Sequence, residues 1–184
     1  MVSPGDFQSY CDRWFGLDCN GFVGNYIRHV YQCVHWSDAN DSVDSVESND
    51  LISTIWTKFE GVEYSLADDV DADRLNLLVM TDDRGVVVPG GKPPHGHIMI
   101  SVPGESAVIR NTKRRLPGSA DANLPAITIV ESTASKGGVD GLSGLARSFY
   151  AYSESGSQAR VFKVLRGLND GVMNVRIKGA SWIS

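Results

Sequence analysis

The chain lacks any run approaching the ~18 consecutive apolar residues that a membrane span requires. Its opening segment, MVSPGDFQSYCDRWFG, has no basic stretch followed by an apolar one, so no secretory signal peptide is expected and synthesis in the cytoplasm is. Cysteine is scarce. Three cysteines among 184 residues cannot all pair with one another, so at least one is a free or an intermolecular thiol. Basic residues are outnumbered, 17 Lys and Arg against 22 Asp and Glu, and the formal charge of -5 argues against a general nucleic-acid binder. Neither internal repeats nor low-complexity tracts occur. What remains is ordinary: 42% apolar and 21% charged residues describe a globular chain, expected to form one domain over residues 1–184.

The apolar pattern changes period partway along. Phe22, Val23, Tyr26, Ile27, Val30, Tyr31 and Val34 recur in steps of three and four, which predicts an amphipathic helix from Cys19 to Val34 with Asp18 as its N-cap. A second helix is expected where Leu51, Ile52, Ile55, Trp56 and Phe59 share a stripe. Between them, Ser37 to Asn49 is rich in Ser, Asp and Asn and reads as a loop. Beyond Tyr64 the pattern turns to short β-branched and aliphatic runs. Strands are expected at Leu75 to Met80, Val86 to Val88, Ile98 to Val102, Ala107 to Arg110, Ile127 to Glu131, Arg147 to Tyr152 and Arg160 to Leu165. Helices first and strands afterwards predict an α+β domain, with N-terminal helices packed on a central antiparallel sheet.

Three segments carry residues suited to chemistry. In Leu17-Asp18-Cys19-Asn20-Gly21-Phe22-Val23 the cysteine falls in the first turn of the expected helix, where unpaired N–H groups favour a thiolate, the nucleophilic form. In Gly96-His97-Ile98-Met99-Ile100 a histidine opens an apolar strand and is placed to serve as a base. In Ile127-Thr128-Ile129-Val130-Glu131-Ser132-Thr133 a strand ends in a carboxylate able to orient an imidazole. Each has a plainer alternative: a buried thiol, a structural histidine, a solvated acid.

The three together resemble the NlpC/P60 family of papain-like cysteine peptidases and amidases. That family has an Asp-Cys-Ser-Gly-aliphatic motif at a helix start, then Gly-His-(Val/Ile)-x-Ile beginning a strand, then a polar residue closing the next strand. The resemblance spans Tyr10 to Arg166. Asn20 stands where the family has Ser, and Glu131 where it has His, Asn or Gln. It implies a papain-like fold and acyl transfer with Cys19 as nucleophile, His97 as base and Glu131 as orienting residue. Tyr10, Asp18 and Asn20 become candidates for meeting the oxyanion or positioning substrate. It further implies an amide in bacterial wall peptide as substrate, with no metal or organic cofactor. A wall hydrolase of this kind would leave the cell by a non-classical route, and as a toxin it would have a cognate inhibitor or immunity protein for partner. Arg110, Lys113, Arg114 and Arg115 are candidates to meet the carboxylates of such a peptide, or simply a solvated loop.

Other readings fail on residue type. His95 and His97 invite a metal, but no further ligand stands at ligand spacing. The run Asp69-Val70-Asp71-Ala72-Asp73 starts like a calcium loop but has Arg74 where Gly is needed and Met80 where Glu is needed. Cys11 and Cys33 read as structural thiols. Two alternatives to a hydrolase remain open: a deamidase or acyltransferase acting on protein, and a binding module without catalysis.

Overall fold

The computed structural model describes residues 19, 22–27, 51–89, 96–110, 116, 123–133, 144–165 and 171–181. Residue 19 and residues 22–27 are helical (α1). A second short helix, α2, is Ile52–Lys58, and one 3-10 turn spans Ala67–Asp69. Among the described residues seven strands follow: β1 Gly61–Glu63, β2 Asn76–Met80, β3 Ile98–Arg110, β4 Asn123–Thr133, β5 Gly144–Glu154, β6 Phe162–Leu165 and β7 Val172–Ala180.

All pairings are antiparallel, in the order β1-β7-β2-β3-β4-β5-β6, and β6 also pairs with β7. The last pairing closes a six-stranded barrel. Strand accounts for 53% of the described residues, which overturns the expected papain-like α+β fold of helices on an open central sheet. The physical reason is β7. Its residues Val172 to Val175 pair with β6, while Val175 to Gly179 pair with β2, so one strand joins the two edges that an open sheet would leave free. β1 takes the remaining edge of β7, Gly61 opposite Ala180.

Period-two alternation then sorts the apolar residues onto two surfaces. Leu78, Met99, Ile127, Ile129, Tyr150, Tyr152, Phe162, Val164, Val175 and Ile177 come from all six barrel strands and fill the lumen together with Tyr64. Leu77, Val79, Ile98 and Ile100 face outward from β2 and β3 and are covered by Val23 and Ile27 of α1 and by Ile52, Ile55 and Trp56 of α2. Each aliphatic side chain removed from water in this way contributes about 1.5–3 kcal/mol. Leu51, expected on the α2 stripe, is the extended N-cap and is exposed. On the far side, Leu116 covers Leu124, Ala126, Ala151 and Leu165.

The outward face of β7 secures α2 by polar means. Lys178 donates from Nζ to the carbonyl of Trp56 at 2.7 Å, at the helix end where carbonyls lack intrahelical partners, and lies 4.5 Å from the Trp56 ring centroid. Beside it Arg176 packs 5.3 Å from the same ring and donates to both carboxylate oxygens of Glu63, at 2.5 and 2.7 Å. The two strand runs expected at Ile98 to Val102 and Ala107 to Arg110 are one strand, with a register shift between Ser101 and Ser106. Gly104 turns that shift at φ 77 and donates its N–H to the carbonyl of Ala72. Of Val86 to Val88, Val87 makes a single bridge to Thr81. No helix among the described residues is long and apolar enough to cross a membrane.

Candidate functional site

The site is built at one end of β3 and β4. Val23 and Ile27, four residues apart, seat α1 against the outer face of β2 and β3, and Cys19 continues that stripe one turn earlier. Cys19 thereby packs, half-buried, against the same apolar cluster and keeps a free thiol. His97 immediately precedes β3, and its carbonyl accepts the Met80 N–H at 2.8 Å, which ties it to the end of β2. Ile98 and Ile100 belong to the outer cluster and Met99 to the lumen, so alternation carries His97 toward the lumen mouth.

Glu131 lies on the adjacent strand. Val130 pairs with Ile100 and packs with the outer cluster, so Glu131 falls on the opposite face of the strand, with Ile127 and Ile129. Its carboxylate is 1% exposed, while the His97 side chain is 15% exposed. His97 Nε2 hydrogen-bonds to Glu131 Oε2. That commits one ring nitrogen, and the Cys19 side chain is the imidazole's other hydrogen-bonding neighbour. The second carboxylate oxygen, Oε1, accepts the hydroxyl of Tyr150, a lumen residue that is itself 1% exposed.

Electrostatics follow from this geometry. Burial opposes the charged imidazole, but the hydrogen bonds to Cys19 and Glu131, together with their negative charge, outweigh it and carry the His97 pKa up to about 9. The imidazole is therefore held protonated through neutral pH, between a sulfur and a buried carboxylate. Such a group can stabilise a thiolate, give a proton to a leaving group and take one back from water.

Of the residues expected to form the site, Cys19, His97 and Glu131 are brought together. Tyr10, Asp18 and Asn20 lie outside the described residues, as do Lys113, Arg114 and Arg115. Arg110 ends β3, thirteen residues of strand away from the His97 end, and is not part of this cluster. Tyr150 was absent from the expected site, although a signal for it existed. A tyrosine in a strand that alternates into a core needs an acceptor for its hydroxyl, and Glu131 on the neighbouring strand supplies one. Among the described residues no group of three or more His, Cys, Asp or Glu could hold a metal ion. In the calcium-like run, Asp71 accepts the Asp73 N–H and the Arg74 guanidinium, as an ordinary turn residue does. Compared with family models, with curated proteins and with solved structures, the chain matches none.

Proposed function

We propose that the chain is a cysteine hydrolase of amide bonds, with Cys19 as nucleophile, His97 as general acid and base, and Glu131 orienting the imidazole. The observation that supports it is a single imidazole bonded on one side to a free thiol and on the other to a buried carboxylate. Buried structural histidines have little use for both partners at once, whereas nucleophilic catalysis needs both.

In this reading the Cys19 sulfur attacks the amide carbonyl carbon and the C–N bond breaks. The imidazolium passes its proton to the leaving amine. Water then adds to the thioester carbon and gives a proton to His97, the C–S bond breaks to release the acid, and the thiolate–imidazolium pair is restored. The resemblance of the three motifs to NlpC/P60 sequences supports an amide of bacterial wall peptide as the substrate class. That support comes from Asp18-Cys19, Gly96-His97-Ile98 and Glu131 alone, since the barrel is not the fold expected with them.

The test is rate-resolved alkylation read by peptide mass spectrometry, followed by cleavage of wall peptides. Cys19 is expected to label well ahead of Cys11 and Cys33, and His97→Ala to slow that labelling. Cys19→Ala should then lower peptide cleavage by on the order of 10⁴ or more, because the other groups act through the sulfur. Equal labelling of all three cysteines, indifferent to His97→Ala, would overturn the proposal.

A further inference from the structure

We infer that Tyr150 is a positioning residue for this site, a fourth member whose hydroxyl holds Glu131 charged and aimed at His97. The inference rests on the hydrolase reading and adds to it a residue that neither the motifs nor their resemblance contains.

Glu131 is a carboxylate only 1% exposed, on the face of β4 that carries Ile127 and Ile129 into the apolar lumen. A charge so placed persists only if donors replace the water it has lost. Among the described residues His97 approaches from the start of β3 and Tyr150 from β5, one on each oxygen. Among the described residues of the lumen cluster, Tyr152 and Tyr64 are the other titratable groups. Two donors on opposite oxygens fix the carboxylate plane, and with it the direction of Oε2 toward Nε2.

The hydroxyl also decides where a proton rests. With Tyr150 donating, the carboxylate is stabilised in its ionised form and the proton stays on Nε2 of His97. Weaken that donor, and the lowest-cost escape for the buried charge is transfer of the proton from Nε2 to Oε2. The result is a neutral imidazole beside a carboxylic acid, and the positive charge that stabilises a thiolate on Cys19 is gone. Tyr150 thus acts on the sulfur through two intervening groups. Its position in sequence explains how it reaches them. It pairs with Ile127 across β4 and β5, so it extends along the lumen toward Glu131 instead of facing it across the ladder.

Tyr150→Phe keeps the ring that fills the lumen and removes only the hydroxyl. The pH profile of Cys19 alkylation is the readout, because a packing role would not move it. The acid limb is expected to shift upward by about 1–2 pH units, the worth of one hydrogen bond to a charged group, with at least a tenfold fall in rate near pH 6. In Glu131→Gln the same substitution should add almost nothing, since Tyr150 acts through the carboxylate. An unmoved acid limb in a folded Tyr150→Phe protein, or full additivity with Glu131→Gln, overturns the inference while the hydrolase reading stands. If Tyr150→Phe fails to fold, 3-fluorotyrosine placed at position 150 is the second test. Its more acidic hydroxyl should move the limb downward, and an unmoved limb refutes the inference. Wild-type protein without selective Cys19 reactivity would remove the hydrolase reading and this inference together.

Discussion

Glu131→Gln should change how the protein's stability depends on pH, and the structure sets both the sign and the size. His97 is raised from 6.5 to about 9 in the folded chain, against burial, by its bonds to Cys19 and Glu131. A base with a raised folded value binds its proton more tightly when folded. Its stabilisation is complete below 6.5 and is lost as pH rises through 9. At 1.36 kcal/mol per pH unit, this one imidazole accounts for about 3 kcal/mol between those limits. Glutamine keeps the shape of Glu131 and its place beside Tyr150 but withdraws the charge. Burial is then opposed by Cys19 and a neutral amide acceptor alone, and His97 falls back toward its ordinary value. Urea unfolding of both proteins under reducing conditions, from pH 6 to pH 9.5, is the assay. The wild type should lose about 2 kcal/mol more than the variant across that range, with the difference largest at the acid end. The imidazole resonance that disappears from near pH 9 in the variant identifies His97 among the four histidines. Parallel stability curves, or a wild-type midpoint near 6.5, would refute the reasoning.

Two further substitutions test how the scaffold holds together. A Cβ added at Gly179 would lie 2.7 Å from Tyr64 Cζ and 3.2 Å from Asn76 Oδ1, so Gly179→Ala should cost about 2–3 kcal/mol in chemical unfolding. Tyr64→Leu should recover part of that cost, and strict additivity of the two would count against the contact. Lys178→Met keeps the stem over Trp56 but leaves the Trp56 carbonyl without its 2.7 Å donor, and should cost about 1–2 kcal/mol at pH 7. A variant as stable as the wild type would mean that the amine contributes nothing to holding α2.

The sequence picks out the cluster of Cys19, His97 and Glu131 more clearly than it does the fold. Cys19, His97 and Glu131 each sit where an element begins or ends, and such positions carry recognisable neighbours: Asp before the cysteine, Gly before the histidine, small polar residues after the glutamate. The strands β2, β4, β5 and β6 were legible as apolar runs, with boundaries short by a few residues at β4 and β5. β3 read as two strands because Pro103 and Gly104 look like a turn, whereas the chain absorbs them as a register shift. β1 and β7 were not anticipated. β1 has only three residues. β7 interleaves buried Val175 and Ile177 with Arg176 and Lys178, so its mean hydropathy is unremarkable even though its alternation is regular.

The missed strand bears directly on the electrostatics of that cluster. An open sheet covered by helices on one face would leave the other face of β4 wet, and Glu131 would be a solvated carboxylate with little hold on an imidazole. Closure by β7 turns that face into a lumen packed from six strands, and Glu131 becomes a charge with almost no access to water. There its attraction for a protonated His97 is weakly screened, and a phenol from β5 is brought within reach of its second oxygen. The burial that penalises the imidazolium and the carboxylate that rescues it thus have a common origin in barrel closure. Cys19, by contrast, comes from outside, on a helix seated against the outer face of the barrel. The sulfur therefore meets the imidazole at the rim, where the His97 side chain is still 15% exposed while the Glu131 carboxylate is 1% exposed.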